Sequence, residues 1–262
     1  MCIGNFARIG VLVVILAAGM LGGCATNQGA DPWEKTNRAF YDFNEGLDRV
    51  ALKPLSDGYT QVVPKPVRTC IGNGFDNMGY PNVILNDFLQ AKWQQGWSDA
   101  GRMAVNTTVG VAGVLDVASH WGMPSHENDF GITLGKWSVQ PGPYVVLPLL
   151  GPSTGRDVPG IGVGILTDPM LWIDPPLYVV IPYYTLQAVD ARSRYEREFK
   201  FRNAAALDPY IFTRDAYLQY RESQIHEGQR PTNESFYEDD ESPSSAPSTA
   251  PATGPASRPS GK

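Results

Sequence analysis

The sequence predicts a mainly α-helical domain, and three observations carry that prediction. Apolar residues recur at helical spacing behind proline-opened starts, as at Asp31-Pro32 and Asp208-Pro209. The strand alternation that would signal a sandwich or a doubly wound sheet is missing. The 22 prolines and 27 glycines are many for a helical chain, so short or broken helices are expected rather than a few long ones.

The N-terminus comes first in that order. Arg8 precedes an uncharged apolar run from Ile9 to Leu21, followed by Gly22, Gly23 and Cys24. This is a signal-peptide layout with a cysteine directly after the small residues. It predicts removal of residues 1–23, acylation of the Cys24 thiol and a short lipidated linker over residues 24–30. Two or more acyl chains give stable anchoring, and Ala25 after the cysteine favours delivery to the outer membrane. At the other end, Glu238-Asp239-Asp240-Glu241 and the Ser/Pro/Ala/Thr/Gly-rich stretch after it cannot bury enough apolar surface to order. Residues 228–262 are expected to be a disordered tail, which leaves residues 31–227 as one domain.

Within that domain, Asp31-Pro32-Trp33-Glu34 reads as a helix start with Asp31 as cap, and Lys53-Pro54 as its stop. Two further helices are expected from Pro66 to Met78 and from Pro81 to Gln90, each opened by proline. The longest helical region is expected over Trp93 to Ala118, interrupted by Arg102 and Asn106. His126 to Ser138 is turn-rich. Gly155 to Leu171 is a glycine-rich apolar segment ended by Asp168-Pro169 or Asp174-Pro175. Leu177 to Tyr184 suits either a short strand or a proline-broken helix. A charged helix follows to Leu207, and Asp208-Pro209 opens the last one.

The stretch Gly142 to Asp157, GPYVVLPLLGPSTGRD, fits none of these patterns. Pro143, Pro148 and Pro152 rule out a central strand and break a regular helix. The apolar run Tyr144 to Leu150 is far shorter than the roughly 20 residues a bilayer span needs.

Chemistry is sparse. The net charge of −6 gives no footprint for nucleic acid. Once residues 1–23 are removed and Cys24 is acylated, Cys70 stands alone, so no internal disulfide is expected. His120, His126 and His226 have no metal-ligand spacing. The glycines at 160, 162 and 164 follow Pro159 rather than a strand and lack a P-loop lysine, so no nucleotide cofactor is expected. Ser153 has no GxSxG setting and no base placed by the sequence.

Four stretches together resemble the VacJ/MlaA family of outer-membrane lipoproteins. The first is Asp31-Pro32-Trp33-Glu34 with Asn37, Arg38 and Phe40-Tyr41-Asp42-Phe43-Asn44. The second is Asp129-Phe130-Gly131-Ile132-Thr133-Leu134-Gly135. The third runs from Gly142-Pro143-Tyr144 through Leu147, Pro148 and Gly151 to Arg156-Asp157. The last is Asp208-Pro209-Tyr210 with Arg214, Asp215, Ala216 and Tyr217. The resemblance implies a single ring-like (donut) helical domain around an amphipathic channel, embedded in the inner leaflet of the outer membrane. It further implies association with a trimeric porin and delivery of phospholipid to a soluble periplasmic carrier, which maintains lipid asymmetry without enzymatic chemistry. A charged headgroup cannot enter hydrocarbon alone, so such a path needs polar lining beside apolar walls. Tyr144, Leu147 and Leu150 are the expected apolar wall, and Arg156 is expected at its polar end, against a headgroup or against Asp157. A porin-bound scaffold and a lipid hydrolase remain as alternative classes.

Overall fold

A cluster of tyrosines at the junction of the first helix, a β-hairpin and the last helix organises the chain. The computed structural model describes residues 31–227; the expected signal peptide, Cys24 and the C-terminal tail lie outside the described residues. The fold is mainly helical, as the sequence predicts. Helix α1 (Glu34–Leu47) passes through a π-helical turn, Asp48–Leu52, directly into α2 (Lys53–Val62). Pro54 therefore does not stop the helix. The wider π turn before it relieves the clash that a proline ring makes with the carbonyl four residues back. Asp31 is not the cap expected of it, because Trp33 occupies that position with no side-chain cap bond.

Helix α3 (Lys65–Leu89) carries Pro81 in its interior, so the two helices expected here are one. It packs along α4 (Trp93–Thr108), where Gly96 lets the Phe88 ring approach to within 2.8 Å of where a Cβ would stand. The helix expected to continue to Ala118 ends at Thr108. Val111 and Ala112 adopt φ near +55° and Gly113 +86°, and a Cβ on Gly113 would lie 2.3 Å from that of Asn77. Short helices α5 (Val117–His120) and α6 (Phe130–Lys136) follow, capped by the carboxylates of Asp116 and Asp129. Two strands, β1 (Tyr144–Leu147) and β2 (Gly151–Thr154), pair antiparallel with Tyr144 opposite Thr154 and Leu147 opposite Gly151. Strands were not expected in this stretch. A two-stranded ribbon has only edge strands, so Pro152 is tolerated in one of them.

The chain continues through α7 (Val158–Thr167), α8 (Pro169–Ile173, capped by Asp168), α9 (Leu177–Arg194, with Pro182 inside), α10 (Glu196–Ala205) and α11 (Pro209–Ile225). Asp208 caps α11 as the sequence suggests, accepting from the amides of Tyr210 and Ile211. The core cluster is Tyr41, Tyr144, Val146 and Tyr210, in which the Tyr210 ring meets those of Tyr41 and Tyr144 edge to face. Among the described residues, ten apolar side chains are buried against eighteen polar or charged ones, while many large apolar side chains face outward. The interior is held mainly by polar joints rather than by an oil-like core.

Candidate functional site

The first joint ties the hairpin to α1. Asn37 Nδ2 donates to the Tyr144 carbonyl at 3.0 Å, and its Oδ1 accepts from the Val146 amide at 2.9 Å. One heptad later, Asn44 repeats the pattern, donating to the Leu147 carbonyl at 3.0 Å and accepting from the Leu149 amide at 2.8 Å. Two asparagines on one helix face thus supply the partners that a third strand would give. They also hold Leu149 at φ +69° in the hairpin loop, a conformation leucine adopts only under constraint, with Leu149 and Leu150 both exposed at the tip. Asp31 accepts from Asn37 and from the Tyr210 hydroxyl, and Arg38 bridges Glu34 and Asp208 while stacking on the Tyr210 ring.

The second joint centres on Arg221, which the sequence reading did not single out. Its guanidinium donates to Asp129 at 2.7 and 3.0 Å and to Asp157 at 2.8 and 3.1 Å, and Tyr217 adds a hydroxyl to Asp157 at 2.8 Å. Burial would push the Asp157 carboxyl up, but the Arg221 hydrogen bonds overcome it and hold that carboxyl below its ordinary range. The glycines of the second motif make room for this joint. A Cβ on Gly131 would stand 2.4 Å from Asp157 and 2.5 Å from Arg221, and one on Gly135 would meet Ile225 at 2.6 Å. Gly160 lets α7 approach the Gly131 backbone, where a Cβ would stand 3.0 Å from the amide nitrogen, which gives that glycine a packing role.

Two more polar clusters brace the helices. Arg102 and Asn106 bond Asp116 and hold the left-handed turn after α4; burial would raise the Asp116 carboxyl, but Ser119, Asn106 and Arg102 bring it to about 2. Asp87 and Asp99 are both fully buried. Asp87 accepts from Gln95 at 2.8 Å and Asn128 at 2.7 Å, and Asp99 pairs with His126 at 3.0 Å. Burial, with the Asp99 carboxyl alongside, pushes Asp87 up to about 6.

The surface carries one charged cavity and a set of exposed apolar side chains. A cavity of about 810 Å³ opens between α1, the π turn, α9, α10 and the start of α11. Six cations, including Arg49, Arg192 and Arg202, face five carboxylates across it, over a floor of Tyr41, Phe199 and Tyr210. Apart from it, Ile165, Leu166, Trp172, Ile173, Leu177, Tyr178 and Ile181 on α7 to α9 are exposed. No helix among the described residues is long and apolar enough to cross a membrane.

Of the four residues expected along a lipid path, Leu150 is exposed and Leu147 half-buried, whereas Tyr144 and Arg156 are turned inward. The hairpin's alternation explains the inversion: Tyr144 and Val146 share the core face. Arg156 lies within 3.4 Å of both Asp157 and the Val139 carbonyl, closed off from the surface. Ser153 is buried with its hydroxyl against the Thr154 carbonyl, and none of the three histidines hydrogen-bonds it. The paired asparagines belong to the first of the four stretches, and their seven-residue spacing is the sequence signal for a shared role.

The family model for the MlaA lipoprotein matches residues 29–224. The intermembrane phospholipid transport system lipoprotein MlaA of Haemophilus influenzae is 30% identical over 246 residues, covering 88% of this chain and 96% of that one. The Escherichia coli protein of the same description is 32% identical over 222 residues, covering 81% and 87%. A solved structure, described as the structural basis for maintenance of bacterial outer membrane lipid asymmetry, aligns with a TM-score of 0.64 at 30% identity. It covers 75% of this chain and 100% of that one.

Proposed function

The chain belongs to the MlaA lipoprotein family, and from that premise we propose that it takes phospholipids that have strayed into the outer leaflet of the outer membrane and passes them toward the periplasm, maintaining lipid asymmetry. The observation that carries this reading, beside the family match, is the inverted distribution of side chains. Polar joints fill the interior while Trp172 and several leucines and isoleucines stand exposed on α7 to α9, with Leu149 and Leu150 exposed at the hairpin tip. Many exposed large apolar side chains without a spanning helix suit a protein lying in one leaflet. The charged cavity offers a headgroup the polar company that hydrocarbon denies it, and the apolar surface offers the tails theirs.

In this reading acylated Cys24 anchors the chain through the linker at residues 24–30. Leu147 and Leu150 belong to the apolar rim of the lipid path, and Tyr144 and Arg156 act behind it by fixing the hairpin. A trimeric porin holds the protein in place and a soluble periplasmic phospholipid carrier receives the lipid. The chain lowers a barrier without covalent chemistry, and direction comes from its partners.

The test places photocrosslinking residues at Leu150 and Trp172 of the lipidated protein, with mass spectrometry of the adducts. Intact phospholipid at both positions is the expected result. Lyso products that vanish in a Ser153→Ala variant would make the protein a hydrolase. Porin adducts with no lipid at either position would make it a scaffold.

A further inference from the structure

Helices α3 and α9 enclose a second, smaller groove whose charges do not balance. Along one face of α3 stand Lys65, Arg68, Thr69, Gly72, Asn73 and Asp76; across from them on α9 stand Asp190, Ser193 and Arg194. The spacing of these α3 residues keeps them on one side of the helix. Gly72 brings the helices together, since a Cβ there would lie 3.3 Å from the Arg194 guanidinium carbon. Both carboxylates in the groove lie within ion-pair distance of Arg194, although Asp190 Oδ2 makes no hydrogen bond. Arg194 holds Asp76 at 3.0 Å and Asp190 at 2.9 Å, and the Tyr59 hydroxyl donates to Asp190 at 2.9 Å.

Lys65 and Arg68 are left over. Among the described residues neither has a carboxylate within ion-pair distance, and Arg68 Nε is buried without a hydrogen-bond acceptor. The Nε is closed off from solvent as well, and the terminal nitrogens of this half-buried guanidinium make no side-chain hydrogen bond among the described residues, which leaves them for an anion in the groove. Both cations also lie in the opening turns of α3, where the helix dipole disfavours positive charge and an anion would relieve it. The groove encloses about 280 Å³, roughly nine water volumes at ~30 Å³ each. That suits a phosphate with its ester oxygens and is narrow for acyl chains.

We propose that this groove is a phosphate-binding site, in which Lys65 and Arg68 take the charged oxygens and Thr69, Asn73 and Ser193 line the remainder. It lies apart from the 810 Å³ cavity and rests on its own geometry rather than on the transport reading. The shared chemistry is a phosphate mono- or diester, whether a lipid headgroup or a soluble phosphate.

The experiment follows the Tm of the full lipidated protein in detergent as inorganic phosphate, glycerophosphoethanolamine or chloride is added at matched ionic strength. Wild type should be stabilised by phosphate and not by chloride. In K65Q/R68Q the apparent affinity for phosphate should fall at least tenfold. Lys35→Gln, which removes an exposed cation that lines neither cavity, should leave it unchanged. Stabilisation by glycerophosphoethanolamine at lower concentration than phosphate identifies a lipid headgroup; the reverse order identifies a soluble phosphate. Equal effects of chloride and phosphate, or equal phosphate response in K65Q/R68Q and wild type, would overturn the proposal. Arg68→Gln alone, which relieves the unsatisfied Nε, is the milder variant should the double substitution fold poorly.

Discussion

Replacing Asp87 by asparagine should make the protein more stable, and only above a definite pH. Asp87 is fully buried beside Asp99, and one of its oxygens has no partner. Burial and that neighbour push its carboxyl from an ordinary 3.8 to about 6. A folded-state pKa above the unfolded value means the folded protein binds the extra proton, so stability is full below pH 4 and is lost as pH rises through 6. A gap of about two pH units corresponds to about 3 kcal/mol at neutral pH, by the ~1.4 kcal/mol per unit that links pKa to free energy. The introduced amide would keep an acceptor for Gln95 and Asn128 and turn an N–H toward Asp99, doing permanently what the shared proton does only in acid. The assay is urea unfolding of the detergent-solubilised protein, followed by tryptophan fluorescence from pH 4 to 8. Asp87→Asn should match wild type at pH 4 and exceed it by roughly 1–3 kcal/mol at pH 8. Contributions common to both proteins, such as Asp116 and Asp157, cancel in the difference. A variant less stable than wild type at pH 8, or a difference that does not change with pH, would refute the reasoning.

Other perturbations probe the joints. Asn37→Ala strands the Tyr144 carbonyl and the Val146 amide in a buried setting and should cost about 2–4 kcal/mol by the same unfolding assay. Arg221→Met leaves Asp129 and Asp157 without their shared cation and should cost about 3–5 kcal/mol. In wild type the depressed Asp157 carboxyl contributes stability that is present above pH 4 and fades as pH falls further; the Met variant should lose that acid-side slope. Leu149→Gly relieves a left-handed leucine and should stabilise the fold by about 1 kcal/mol. It should also weaken binding to phospholipid vesicles by about tenfold, read by flotation, because one apolar side chain leaves the hairpin tip.

Much of the helical order was legible in the sequence, because capping and proline placement are local. Asp208-Pro209 opens a helix with the cap its spacing implies, and Pro66 stands in the first turn of α3, which has no side-chain cap. Proline inside a helix was not legible. Pro54, Pro81 and Pro182 all read as breaks, yet a π turn accommodates the first and tertiary packing carries the other two. The hairpin was hidden for a related reason. Its strands are only four residues each, and the partners of β1's free edge are side chains of Asn37 and Asn44, more than a hundred positions away. Tyr144 and Arg156 read as surface because they sit in a greasy, charged segment, whereas alternation along β1 and the Arg221 joint bury them. No local pattern points from Asp129 or Asp157 to Arg221.

The tyrosine junction has a consequence for how the chain acquires its shape. Helix α1 is among the first elements of the domain to be made, but its partners are made among the last. Asn37 bonds Tyr144 across 107 positions, Glu45 meets Arg202 across 157, and Arg38 meets Asp208 across 170. Contacts so distant in sequence form slowly, since the entropy of closing the intervening loop must be met before they contribute. Until the final helix arrives, the amphipathic first third of the protein remains without its lock, and its tyrosines and outward-facing tryptophans are open to any apolar surface nearby. A newly made chain therefore exposes apolar surface for as long as it takes Tyr210 to reach Asp31, and is open to aggregation over that time.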